Sequence, residues 1–164
     1  AAALTLAGDS LKGFLPLVFF AILRRFFPAG VDDLTIILVG LGAFFGHLYP
    51  IFFELKGGKG VATAFGVLLG WNPVVALLSV GIWGAVFWNT KISSLSALTA
   101  AGFAVIATIF YAPLDYLRPA VFVMVGMLIY RHRSNIERLI KGEEIPFGQS
   151  KPLSDDDDDD NDED

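Results

Sequence analysis

The feature that most constrains this chain is an almost unbroken succession of apolar blocks over residues 1–130, interrupted only by short polar or glycine- and proline-bearing segments. Six blocks stand out, at 13–27, 34–53, 61–70, 73–88, 94–112 and 117–130. A hydrocarbon core roughly 30 Å thick takes about 20 helical residues to cross. Several blocks must therefore extend into their flanks or enter a membrane only partly, and 61–70 is too short to cross unaided. The blocks are continuous and rich in Leu, Ala, Val and Phe, without the alternation that a lipid-facing strand needs, so helices are predicted over a barrel. The expected fold class is all-α: a polytopic integral membrane helix bundle of about six helices. With 54% hydrophobic residues in 164, one small soluble core could not hide the apolar surface, and a soluble enzyme is disfavoured.

Charge divides the chain unevenly. The formal net charge of −5 is carried by the C-terminal run, where nine of the 17 acidic residues fall at 155–160 and 162–164. Residues 1–154 hold the 12 Lys and Arg against eight acids and are net +4. Residues 1–150 are expected to form the membrane domain, and 151–164 an acidic tail that self-repulsion keeps disordered and that has no catalytic part. With no Cys, a disulfide scaffold, thiol catalysis and a Cys-ligated metal site are excluded, and two His leave little for a His-rich metal site.

Loop cations give an orientation, because Lys and Arg stay on the cytoplasmic side. With the C-terminus inside, nine fall inside (Lys12, Lys56, Lys59, Lys91, Arg131, Arg133, Arg138, Lys141 and Lys151) and three outside (Arg24, Arg25 and Arg118). Four polar clusters, at 8–13, 55–60, 91–94 and 131–135, are then expected at one membrane face, the cytoplasmic one, where they could build one site.

The most informative cluster is Leu55-Lys56-Gly57-Gly58-Lys59-Gly60, followed by an apolar helix. Glycines let an anion approach backbone N–H groups, and a helix N-terminus beside a Lys favours phosphate. The Walker spacing is absent. A basic loop held by anionic lipid remains the other reading. In residues 131–141, His132 and Asn135 share a helical face while Ile136, Leu139 and Ile140 form an apolar stripe, which predicts a short cytoplasmic amphipathic helix stopped near Gly142. By geometry alone, contact with lipid headgroups is the commoner role of such a helix. The His132-x4-Glu137 spacing does not make an acyltransferase dyad, since an i,i+5 offset turns Glu137 about 140° from His132. His47 is expected to make a structural hydrogen bond, Asp9 and Lys12 to pair at i,i+3 near a helix end, and Ser93, Ser94 and Ser96 either to meet phosphate or to cap a helix.

Taken in order, Gly8-Asp9-x-x-Lys12-Gly13, Gly46-His47-x-x-Pro50, Lys56-Gly57-Gly58-Lys59-Gly60-Val61-Ala62-Thr63, Ser93-Ser94-Leu95 and Arg131-His132-x-x-Asn135-Ile136-x-Arg138-Leu139-x-x-Gly142-x-Glu144 resemble the bacterial acylphosphate:glycerol-3-phosphate acyltransferases of the PlsY type. The resemblance runs from residue 1 to about 144. It implies a seven-helix inner-membrane enzyme of phospholipid synthesis that moves an acyl group from acyl phosphate to glycerol 3-phosphate, giving lysophosphatidic acid and phosphate. By the same resemblance, Gly57, Gly58, Lys59 and Ser94 bind substrate, and Lys59, His132 and Asn135 carry catalysis. Glu144 or Glu143 is structural, as are His47, Asp9 and Lys12. The implied partners are the two substrates and the bilayer, with no cofactor, metal or nucleic acid.

The family's first helix and its Ser-Gly-Asn-x-Gly-x-x-Asn motif would precede Ala1, so residues 1–164 alone are expected to transfer little acyl group. Two other classes compete with this one. A small transporter or anion-binding membrane protein needs polar groups near the midplane, whereas the block centres are mostly Phe, Leu, Val and Ala. A structural or lipid-binding module would tolerate loss of Lys59 or His132.

Overall fold

The structure is a computed structural model that describes residues 2–50, 57–111 and 116–149. Lys56 and the acidic tail 151–164 lie outside the described residues, as do residues 51–53 and 112 of the predicted blocks. The described residues form seven helices: α1 (Ala2–Phe26), α2 (Asp33–Leu48), α3 (Val61–Trp71), α4 (Pro73–Thr90), α5 (Ser93–Tyr111), α6 (Leu117–Arg131) and α7 (Arg133–Lys141). The six apolar blocks correspond to α1–α6, and the amphipathic segment to α7. Stretches of α1, α4 and α5 are long and apolar enough to cross a membrane, whereas α2 and α3 are apolar but shorter. At 11 residues, α3 is about 16 Å long, half a hydrocarbon core.

Two predicted boundaries differ from the structure. The first block extends back from residue 13 to Ala2, so the polar cluster at 8–13 lies within a helix, where Asp9 and Lys12 pair at i,i+3 as expected. The amphipathic helix begins at Arg133, because His132 stands at a break between α6 and α7.

The turns follow local chemistry. Asp32 caps α2, its carboxylate accepting from the Thr35 N–H at 2.7 Å and from the Thr35 hydroxyl at 2.6 Å. Asn72 ends α3 and starts α4, with Pro73 at the first helical position. Its side-chain oxygen accepts from the Val75 N–H at 3.1 Å and its amide donates to the Tyr111 carbonyl at 2.8 Å, tying α4 to the far end of α5.

Packing is closest where α1 crosses α3. A Cβ on Gly13 would stand 2.4 Å from the Thr63 carbonyl oxygen, and one on Gly66 would stand 2.0 Å from the Ser10 carbonyl oxygen. Only glycine lets the two backbones touch in this way, the device by which membrane helices associate without a hydrophobic drive between them. The interior is built largely from Ala, Val, Leu and Met of α3–α6, while Phe19, Leu77, Trp88, Phe110 and Phe122 point outward. An apolar exterior of this extent suits lipid, not water.

Candidate active site

The loop that enters α3 is shaped by contacts from two directions. Gly60 adopts φ 83°, a left-handed conformation, and a Cβ there would strike the Phe44 ring at 2.7 Å. From α6, the Arg131 guanidinium donates to the carbonyls of Gly57 at 2.5 Å and Gly58 at 3.0 Å. From α2, the His47 ring approaches Gly58 with Nε2 foremost, and a Cβ there would fall 2.7 Å from that atom. His47 Nδ1 is in turn 3.6 Å from Asp9 Oδ1, which also accepts from Lys12 Nζ at 3.2 Å. Asp9, Lys12 and His47 therefore form one cluster behind the glycine loop, with Lys12 exposed at its edge.

A second network gathers on Glu144. Its Oε1 accepts from the Ser94 hydroxyl and from Asn135 Nδ2 at 2.6 Å, and its Oε2 accepts from Arg138 Nε at 2.7 Å. Burial works to raise the Glu144 carboxyl, but the hydrogen bonds from Ser94, Asn135 and Arg138, with the charge of Arg138, outweigh it and hold the group below its ordinary value. Glu143, the other candidate for this role, is exposed. Ser94 and Asn135 are buried, 6% and 4% exposed. Because its amide nitrogen donates to Glu144, Asn135 has a fixed orientation, and its Oδ1 has no hydrogen-bond partner among the described residues.

His132 joins α6 to α7 and is 2% exposed. Its Nδ1 stands 2.8 Å from the Leu128 carbonyl, which can only accept, so Nδ1 carries a proton. Burial pushes the imidazole below its ordinary value, the Leu128 bond opposes this, and the nearby Lys59 charge adds to the depression. The ring is then neutral with a free lone pair on Nε2. Glu137 is exposed on α7 while His132 is buried, in keeping with the rejected dyad.

Two cavities lie at this end of the bundle. One, of about 430 Å³, is polar and lined by Gly57, Gly58, Lys59, Arg131, Arg133 and Ser134. The other, of about 510 Å³, has Lys59, Ser94, His132 and Asn135 at its polar end and runs down among apolar side chains of α3–α6. Lys59 lines both. No group of three or more metal-ligating side chains occurs among the described residues. The structure thus brings together Gly57, Gly58, Lys59, Ser94, His132, Asn135 and Glu144 around two cavities that share Lys59, with Asp9, Lys12 and His47 one layer behind. Arg131 and Arg133 were not singled out from sequence. Their signal was the density of Arg around His132, which also suits a lipid-facing helix.

A family model described as glycerol-3-phosphate acyltransferase matches residues 1–142. A glycerol-3-phosphate acyltransferase of Paraburkholderia phytofirmans is 43% identical over 151 residues, covering 92% of this chain and 70% of that protein. One from Neisseria meningitidis serogroup C is 42% identical over 151 residues, covering 92% of this chain and 74% of its own length. Two crystal structures of PlsY (YgiH), described as an integral membrane glycerol 3-phosphate acyltransferase in its lysophosphatidic acid and glycerol 3-phosphate forms, align with TM-scores of 0.80 at 38% identity. The alignments cover 89% of this chain and 72% and 70% of those chains. By sequence and fold, the chain belongs to the glycerol-3-phosphate acyltransferase family.

Proposed function

We propose that this membrane acyltransferase takes its acyl group from acyl phosphate and delivers it to the hydroxyl of glycerol 3-phosphate, where the two cavities share Lys59. The observation that carries the reading is that Lys59 lines both a cationic polar cavity and an apolar one. The substrates have matching halves. Each carries a phosphate, suited to Lys59, Arg131, Arg133 and the N–H groups of the glycine loop, and the donor alone carries a tail, suited to the apolar cavity.

In the reaction the acceptor hydroxyl oxygen bonds to the acyl carbonyl carbon, the bond between that carbon and the phosphate oxygen breaks, and phosphate leaves. Acyl phosphate is already activated, so the protein's task is to bring two anions together, orient the hydroxyl and stabilise the oxyanion. Lys59 offsets the repulsion and the developing charge. Before transfer the free Oδ1 of Asn135 accepts a hydrogen bond from the acceptor hydroxyl, and neutral His132 offers Nε2 as an acceptor for the second hydroxyl of glycerol 3-phosphate. The hydroxyl proton passes to the departing phosphate, so no dedicated protein nucleophile takes part. Ser94 and Glu144 hold Asn135 in place, and Asp9 and His47 hold the glycine loop. The polar end faces the cytoplasm, in accord with the excess of cations there.

The test is transfer of labelled acyl groups by the intact protein in membranes, with acyl phosphate, acyl-CoA and acyl carrier protein compared as donors. Transfer from acyl phosphate alone is expected, and Lys59→Ala should lower it about 100-fold or more with helical content retained. Equal use of acyl-CoA would overturn the donor assignment, and unchanged transfer by Lys59→Ala the site.

A further inference from the structure

We propose that Ala104 on α5, with Ser79 on α4 and Met124 on α6, forms the floor of the apolar cavity and sets the longest acyl chain the enzyme transfers. The proposal rests on the reading that this cavity takes the donor's tail.

The cavity has a polar mouth and a measurable depth. Ser94 and Asn135 mark the mouth, and Ala104 lines the wall ten residues further along α5, about 15 Å at the helical rise. On α4, which returns to the mouth at Thr90, Ser79 is eleven residues from that end, about 16 Å. Two independent helices therefore place the lowest lining residues at one level. Beneath it, Val75 of α4, Ala107 of α5 and Val121 of α6 are 0%, 2% and 1% exposed and take no part in the wall. The space ends where α5 packs against α4 on one side and α6 on the other.

The cavity owes its width to α5. Ala97, Ala100, Ala101 and Ala104, at i, i+3, i+4 and i+7, all face it. Each leaves the volume that Leu or Phe would fill. The unpartnered, buried Oδ1 of Asn135 shows that the same cavity also ends in an unmet polar need, as a tail with a reactive head requires. Ser79 fits a floor as well, because its hydroxyl donates to the Val75 carbonyl at 2.7 Å and adds no unpaired polar group to the tail's surroundings.

The experiment offers the intact protein an equimolar ladder of acyl phosphates from short to long chains with glycerol 3-phosphate, and reads the product ratio. Ala104→Leu should shift the ratio of long- to short-chain product about ten- to a hundredfold toward short chains while short-chain transfer persists. Met124→Ala, which deepens the floor, should shift it the opposite way. Gly102→Leu on the lipid-facing side of α5, where an added side chain meets open space, should leave the ratio unchanged. Ratios that stay fixed in both floor variants, or move equally in Gly102→Leu, overturn the proposal. If the unsubstituted protein uses none of these donors, the donor reading falls separately, and the floor is then judged by binding. Quenching of Trp83, which lines the cavity, by bromine-tagged fatty acyl chains should lose its long-chain preference in Ala104→Leu. An unaltered length profile there would sink it.

Discussion

His132 shows how much a single side chain's surroundings determine its chemistry. A histidine at a surface helix junction would be half charged near its ordinary value of 6.5, but burial, assisted by Lys59, keeps this one neutral to lower pH. The sign follows directly: the neutral form prevails above the depressed value and is lost as pH falls through it, so the acid limb of transfer due to His132 should lie below pH 6.5. A rate profile of the intact enzyme against that of His132→Gln checks this, since the substrate phosphates titrate in both and the imidazole in only one. Coincident profiles would remove His132 from the reaction. Glu144 is subject to the opposite linkage. Its folded value is depressed, so the stability it lends is fully present above the ordinary 4.5 and disappears as pH falls through the lower folded value. Lys59, His132 and Asn135 stood out in the sequence through the ordered motifs of the family resemblance, since spacing alone suited lipid contact equally well, and all three line one cavity. Arg131 did not, because its bonds to Gly57 and Gly58 span more than 70 residues and no local pattern announces them.

At the scale of elements, hydrophobic blocks located six of the seven helices, and an apolar stripe among charges located α7. The miss was at the start of α1. Gly8, Asp9, Ser10 and Lys12 have the composition of a loop, yet the helix continues through them because tertiary contacts use what local propensity disfavours. Gly13 admits the α3 backbone, the Ser10 carbonyl is approached by Gly66, and Asp9 serves His47. Gly66 is the most exacting of these positions. Gly66→Val places carbon where the Ser10 carbonyl oxygen already is, and α1 must move from α3. The expected loss is of the order of 1–3 kcal/mol or more, seen as a lower melting temperature in detergent and weaker transfer. Gly42→Ala on the open side of α2 should change neither, because an added Cβ meets nothing within 4 Å. Equal melting of the Gly66 variant would show that α1 and α3 are not held at this crossing.

Over the whole molecule, sequence segments far apart converge at one end of the bundle: α1 supplies Asp9, the α3 entry Lys59, the α4–α5 hairpin Ser94, and the α6–α7 junction His132 and Asn135. At the opposite end stand the Arg24–Asp33 pair, the Asn72 cap and Arg118, whose guanidinium donates to the Ile109 carbonyl at 3.4 Å. Charge asymmetry made the convergence readable, since loop cations alternated between faces, but no count of charges could reveal that the polar groups enclose two cavities sharing one lysine. The same asymmetry predicts orientation. Residues 1–164 contain no Cys, so single cysteines placed among them add the only thiols in this segment, and the unsubstituted protein serves as the background control. Lys141→Cys, at the exposed end of α7, should react with a membrane-impermeant maleimide only after intact cells are permeabilised. Gly30→Cys, in the turn before α2, should react from outside at once. The reverse pattern would place the glycine loop and its phosphate pocket on the outer face. Substrates made in the cytoplasm could not reach it there, and the assignment of both cavities to one cytoplasmic transfer reaction would fall with the orientation.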